Sequence, residues 1–429
     1  MGGMLETLRN AWKIVDLRKK ILFTVVMLII FRIGSHIPVP FLDPVRFKDI
    51  LEKGGSLFGF MDVVSGGALK GATIFAMSIT PYINSSIIMQ LLTVAIPRLE
   101  QLAKEGEEGR KIIAQYTRYG TVVLGFLQAV GLYFGLRGAL VEESILSFVT
   151  ITLTFTAGTA FLMWLGEQIT ERGVGNGISL LIFAGIVSRG PYGFQVLLTY
   201  FTSNTLGQGI LAVVAIIAIL AVFLGVIMSV IWVNQAERRI PVQYAKRVVG
   251  RKMYGGQSTH IPIKVNLAGV IPIIFAMSIM AFPSTIISIF AASSTNGFVL
   301  FFKNAQSSWW YSILYAALIM FFTFFYTVIQ FNPIEIANNM KKNGGFIPGI
   351  RPGKPTSDYI SRVLNRITWF GGFFLAIITV FPSILGSIFH ITGIWFGGTA
   401  VLILVGVALD TVKQIESQML MRHYKGFLE

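Results

Sequence analysis

The side chains able to do chemistry in this chain are few and scattered. His36, His260, His390 and His423 lie in separate regions, with no metal-ligand spacing around any of them. Cysteine is absent, which excludes disulfides, thiol catalysis and cysteine-ligated metals. No phosphate-cradling G-x-x-x-x-G-K-S/T run occurs: Gly349 and Gly353-Lys354 stand one residue too close, and Pro355 follows. Nucleotide hydrolysis through a P-loop is therefore excluded, and any motor must be another protein. No cluster suits catalysis, so an intramembrane enzyme is set aside and no cofactor is expected.

What remains is hydrophobicity and positive charge, and both are patterned. A mean hydropathy of +0.70, with 54% hydrophobic and 13% charged residues, excludes an ordinary soluble domain. Crossing about 30 Å of hydrocarbon takes about 20 apolar residues. Ten runs meet that need, at 20–38, 73–94, 117–136, 148–166, 177–191, 208–233, 267–290, 309–331, 367–389 and 394–410. The first follows a basic segment, as a signal peptide would. It has no small-residue cleavage site and leads into His36-Ile37-Pro38-Val39-Pro40, so it is read as a span.

Positive charge alternates from loop to loop between these spans. Most of the 35 Lys and Arg residues fall before the first span and in every second loop thereafter, leaving Arg32, Arg46, Lys48, Lys53, Lys70, Arg137, Arg189 and Lys303 on the other side or in spans. Excess Lys and Arg marks the cytoplasmic face, so both termini are expected there. The net charge of +15 then reflects orientation, anionic lipid and a large acidic or RNA-bearing partner at that face. Ten spans divide into halves of five, at 1–190 and 207–429, around a loop at 191–206. An odd number per half makes the second enter the membrane from the opposite side. The expected fold is an all-α membrane protein with two pseudo-symmetric inverted five-helix halves.

Ionisable residues inside spans mark ion or substrate paths. Here Arg32 lies near the outer end of the first span, where it can snorkel, and Glu167 and Asp410 lie at cytoplasmic ends. No carboxylate sits near a midplane. That argues against the alternative with the same hydropathy profile, an ion-coupled secondary transporter of small solutes.

Three loops carry more than a connection needs. Residues 54–72, from Gly54 to Ala72, are apolar enough to enter the membrane but too short and Gly-rich to cross it. They are read as a re-entrant or surface segment, or as a mobile element inside a cavity. The basic loops 234–266 and 332–366 are punctuated by Gly-Gly, Pro-Gly and Arg-Pro pairs that imply shaped turns.

Several long motifs then point to one family. Ile79-Thr80-Pro81-Tyr82-Ile83-Asn84-Ser85-Ser86-Ile87-Ile88-Met89-Gln90-Leu91-Leu92 resembles the second span of the SecY family, the large subunit of the general protein-conducting channel. So do Glu171-Arg172-Gly173-Val174-Gly175-Asn176-Gly177-Ile178-Ser179, the run from Gln257 to Asn266, and Gly344-Gly345-Phe346-Ile347-Pro348-Gly349-Ile350-Arg351-Pro352-Gly353. The likeness covers essentially the whole chain and looks bacterial.

The resemblance implies a clam-shaped bundle, hinged at the 191–206 loop between the fifth and sixth spans, around an apolar waist lined by Ile79, Ile83, Ile182, Ile186, Ile274 and Ile403. A ring of branched aliphatic side chains offers ions no replacement for hydration, so it gates by dewetting. It implies a short plug helix carrying Gly55, Phe58, Phe60, Asp62, Val63, Gly66 and Gly67, with glycine keeping the element loosely packed and displaceable. It implies a lateral exit for signal sequences and transmembrane segments between spans two/three and seven/eight. There Asn84, Gln128 and Asn266 are the polar gate candidates, with interhelical hydrogen bonds of about 0.6–2 kcal/mol each. The basic loops become the docking surface for a SecA-type ATPase or the ribosome, through Arg247, Arg251, Lys252, Arg351 and Lys354, since guanidinium pairs bidentately with carboxylate or phosphate. Ile334 departs from the family pattern, which often has a polar residue there, and no docking contact is assigned to it. Small single-span partners of the SecE and SecG type, unfolded preproteins and a plasma-membrane location follow from the resemblance alone.

Overall fold

The computed structural model describes residues 4–53, 62, 65–135, 137–193, 195, 210–244, 247–249, 252–254, 258–290, 308–389 and 398–425. Every expected span coincides with a helix. The first half opens with α1 (Met4–Lys13), α2 (Val15–Gly34) and α3 (Pro44–Lys53). The half continues with α4 (Thr80–Ala95), α5 (Pro97–Lys104), α6 (Glu107–Gly135), α7 (Ile145–Arg172) and α8 (Gly177–Ser188). The second half holds α9 (Ile210–Gln235), α10 (Ile271–Phe290), α11 (Trp309–Gln330), α12 (Pro333–Lys342), α13 (Lys354–Phe389) and α14 (Gly398–Lys425). Among the described residues four helices are individually long and apolar enough to cross a membrane: Ile145–Arg172, Trp309–Lys342, Lys354–Phe381 and Gly398–Met421. The hinge at 191–206 falls largely outside the described residues.

Local sequence sets where these helices begin and how they satisfy their polar groups. Ser144 and Ser147 form a reciprocal capping box at the start of α7, and Asn176 caps α8 by accepting from the Ser179 amide at 3.2 Å. Along α7, Thr152, Thr154 and Thr156 each donate a hydroxyl to the carbonyl four residues back, at 2.6–2.7 Å. These three threonines thus carry β-branched apolar bulk along the span with their hydroxyls paired.

Small residues let the helices close up. A Cβ at Gly158 of α7 would collide with the carbonyl oxygen of Ile74, and one at Gly177 with that of Gly166. At Gly120 of α6 a Cβ would lie 2.5 Å from Ser85 Oγ on α4, whose hydroxyl instead donates to the Thr117 carbonyl at 2.8 Å. Such approaches replace the hydrophobic drive that lipid cannot supply between helices.

The second span departs from its expected form. Helix α4 starts at Thr80 rather than near residue 73, and residues 65–79 are a chain of turns with φ of +46° at Ala72 and +52° at Ser78. Pro81 in the first turn of α4 has no N–H to bond a preceding carbonyl, so the helix stops there. Irregular backbone at this depth requires enclosure by protein. Phe75, Ala76, Met77, Ser78 and Ile79 are accordingly all buried.

The basic loops fold into a subdomain with small sheets, which amends the all-α expectation. Strand β1 (Glu237–Tyr244) pairs antiparallel with β4 (Ser258–Lys264), Ile240 opposite Ile261, and with β5 (Gly345–Phe346) on its other edge. A second sheet pairs β2 (Arg247–Val249) with β3 (Lys252–Tyr254). Ile240 and Val242 point inward at strand period and join Ile263, Met340, Ile347, Ile360 and Leu364 in one core. Both loops, α12 and the base of α13 therefore form a single body. Helix α13 is about 54 Å long by its residue count, well beyond the hydrocarbon thickness, so it carries this body out of the bilayer.

Candidate functional site

Six isoleucines from four separated segments meet in one apolar cluster. Ile79 precedes α4 and Ile83 lies one turn on, its amide donating to the Ile79 carbonyl at 3.0 Å. Ile182 and Ile186 share a face of α8 by their i, i+4 spacing. Ile274 comes from the first turn of α10 and Ile403 from α14. Ile79, Ile182, Ile186 and Ile403 are at most 4% exposed, and Ile83 and Ile274 pack half-buried against the same cluster. The cluster draws on segments from both halves of the chain and is aliphatic at all six positions. Among the described residues no group of His, Asp or Glu could hold a metal.

Next to this collar lies a polar site that the spacing of residues along the chain does not reveal. Asp62 is 1% exposed and forms an ion pair with Arg189, the residue that ends α8. Its other carboxylate oxygen accepts from the Lys70 amide at 2.8 Å, and its backbone carbonyl accepts from the Gly67 amide at 2.8 Å and Ser65 Oγ at 3.0 Å. Arg32 of α2 turns inward rather than snorkelling: its Nη1 donates to the Gly66 carbonyl at 2.8 Å and to Ser188 Oγ at 3.3 Å. The glycines at 66 and 67 are required here for approach, not looseness. Their φ values are +68° and +93°, and a Cβ on Gly66 would lie 2.8 Å from Ser188 Oγ and 3.1 Å from the Gly185 backbone. Gly55, Phe58, Phe60 and Val63 lie outside the described residues.

The three gate candidates do not hydrogen-bond to one another. Asn266 is buried just ahead of α10 and donates through Nδ2 to Asn234 Oδ1 at 2.8 Å, near the end of α9. Asn84 on α4 keeps a buried Oδ1 without a partner, and Gln128 on α6 is half-buried. What fills the seam between α4 and α10 is apolar: Ile87 packs in one cluster with Ile273, Phe275 and Ile319.

Arg351 and Lys354 are exposed where β5 leads into α13, held by a Thr356 hydroxyl that donates to the Arg351 carbonyl at 2.9 Å. Gly349 and Gly353 flank them with φ of +80° and +103°, which explains the glycine punctuation. Arg247 and Lys252 belong to the β2–β3 pair, and Arg251 falls outside the described residues. Ile334 is 64% exposed on the same body.

A mostly helical bundle in which four segments meet in one buried aliphatic cluster, with one large basic end, defines a multi-pass membrane protein. Solved structures share this fold. The chain matches a protein-conducting channel with a TM-score of 0.64 and 18% identity, over 94% of this chain and 92% of that one. It matches Sec61 from the canine ribosome-channel complex of the endoplasmic reticulum with a TM-score of 0.60 and 16% identity, over 94% and 92%. The SecY family model covers residues 73–412. Protein translocase subunit SecY of Halalkalibacterium halodurans is 48% identical over 99% of this chain and 100% of its own length. That of Thermotoga maritima is 46% identical over 99% and 98%. The chain belongs to the SecY family.

Proposed function

We propose that the aliphatic collar of this protein translocase channel subunit is its pore ring, and that unfolded polypeptides cross the membrane through it. The carrying observation is that isoleucines from α4, α8, α10 and α14, drawn from both halves, converge in one buried cluster. At rest such a ring admits no continuous water column, because its walls offer neither charge nor hydrogen bond to a hydrated ion. An extended chain presents mostly dispersion contacts to the same walls, each worth about 0.1–0.2 kcal/mol per atom pair, so it slides without being gripped. The Gly-rich segment at 55–67 seals the funnel on the side opposite the basic body.

Lateral release uses the seam between α4/α6 and α10/α11. Because this seam is largely apolar, a hydrophobic signal sequence or transmembrane segment exchanges like for like with it. The hydrogen bond from Asn266 to Asn234 holds the base of α10 beside the end of α9. The two halves, 1–190 and 207–429, open about the 191–206 loop. Charge asymmetry supports cytoplasmic termini in the plasma membrane, with the basic body facing a SecA-type ATPase or the ribosome and the loop ends facing anionic lipid. Arg247, Arg251, Lys252, Arg351 and Lys354 are the docking residues, and SecE- and SecG-type subunits complete the complex.

Replacing Ile83 or Ile274 with Asn adds a hydrogen-bonding group to the ring. Reconstituted resting channels carrying either change should conduct ions at least about tenfold more than the parent, the effect of roughly 1.4 kcal/mol on a barrier. Unchanged conductance in both variants removes the ring assignment.

A further inference from the structure

We propose that Asp62, Arg189, Arg32 and Ser188 form an electrostatic latch that fastens the base of the plug to the ends of α2 and α8. This rests on the reading of 55–67 as a plug. The turn at 65–70 is the piece through which that segment joins α4, and both ends of the latch lie on described residues. On one side stand the Asp62 carboxylate and the Gly66 carbonyl. On the other stand the Arg189 guanidinium, and the Arg32 guanidinium with Ser188 Oγ, the latter donating to the Gly66 carbonyl at 3.5 Å as well as to Gly185 at 2.7 Å.

Two features distinguish this from ordinary surface pairing. The pair is buried, with side-chain exposures of 14% for Arg189 and 2% for Asp62, whereas Arg118–Glu167 and Arg239–Glu237 lie at the surface. Arg189 also stands over the Tyr192 ring at 5.2 Å, at the last turn of α8, directly before the loop about which the halves open. A rotation there moves the cationic side of the latch and leaves the anionic side on the turn. The latch thereby couples the hinge to the plug.

The strength of the latch depends on water. In a dry site the attraction is strong and separating the charges leaves both unsolvated, so the closed state holds. A polypeptide that enters the funnel brings water with it. Each charged group then exchanges its partner for hydration, and the plug is free to leave. The same groups re-pair when the funnel drains.

Asp62 has two jobs, and one substitution separates them. Asp62→Asn keeps an oxygen to accept from the Lys70 amide, so the turn survives, but it removes the charge facing Arg189. Arg189→Gln removes the charge from the other side. The test measures resting ion conductance in vesicles of reconstituted full-length complex, alongside export of a precursor with a defective signal sequence. Thermal unfolding of each variant is recorded to exclude misfolding.

Each single variant should raise resting conductance about tenfold and admit the defective precursor. The double variant should leak no more than the worse single one, because the second change removes a partner already lost. The proposal is overturned if both neutral variants fold and seal like the parent, or if their effects simply multiply. Ile83→Asn runs in parallel. If it leaks while the neutral variants do not, the latch fails alone; if it too stays sealed, the pore ring fails.

Discussion

At the scale of single residues, the molecule spends its few polar side chains on holding irregular backbone in place. Thr24 of α2 illustrates this. Its hydroxyl donates to the Lys20 carbonyl at 3.0 Å and accepts from the buried Val174 amide at 3.0 Å, tying the sharp turn between α7 and α8 to the first span. Thr24→Val keeps the shape and removes that acceptor, so it should cost about 1–3 kcal/mol, with Thr24→Ser near neutral. Thermal unfolding of the purified variants in detergent measures the difference; equal midpoints for Val and parent would show that the amide has another partner. Residue roles were legible only where chemistry is local. The positions 79/83 and 182/186 are expected in pairs from the family motifs, and the structure places all six isoleucines in or against one cluster. Arg32 was not legible in the same way. The Gly66 carbonyl and Ser188 that turn it inward lie 34 and 156 positions away, and nothing in the spacing points to them. The signal available was that Arg32 and Arg189 are cations in otherwise uncharged spans.

At the scale of elements, helices were readable because burial in lipid imposes a long apolar run, and each expected span falls on a helix. The exceptions are informative. The stretch 73–79 is as apolar as a helix in the membrane, yet its enclosure by α2, α6 and α7 lets it remain a series of turns, with Pro81 blocking the helix from growing backwards. Strands β1 and β4 are not evident in the sequence because a loop between spans reads as basic and Gly-punctuated before it reads as alternating, and the period-two signal is confined to Ile240/Val242 and Ile261/Ile263. The sheets matter for function, because they fix Arg351 and Lys354 on a rigid body rather than a tether. Arg351→Glu should therefore reduce ATPase-driven export several-fold while leaving membrane assembly intact, and added salt should lower export more steeply in the parent than in the variant. Export that is unaffected by the reversal would take Arg351 out of the docking surface.

At the scale of the whole molecule, two halves bury aliphatic side chains against each other where an ion-coupled transporter of small solutes would place charge. Fold and class follow from hydropathy, charge alternation and family motifs, since those are properties of every span at once. The collar differs: composition does not distinguish an isoleucine facing its own kind from one facing lipid, and only the three-dimensional arrangement separates Ile79 and Ile403, at 1% and 2% exposure, from Leu153 and Ile313, at 55% and 58%. The chain's lack of cysteine makes that distinction directly measurable. Single cysteines placed at the six collar positions, and at Leu153 and Ile313 as controls, can be probed with a preprotein stalled in transit and carrying one cysteine of its own. Disulfides to the stalled chain at the collar positions and none at the controls are predicted; cross-links at Leu153 or Ile313 with none at the collar would contradict the central claim.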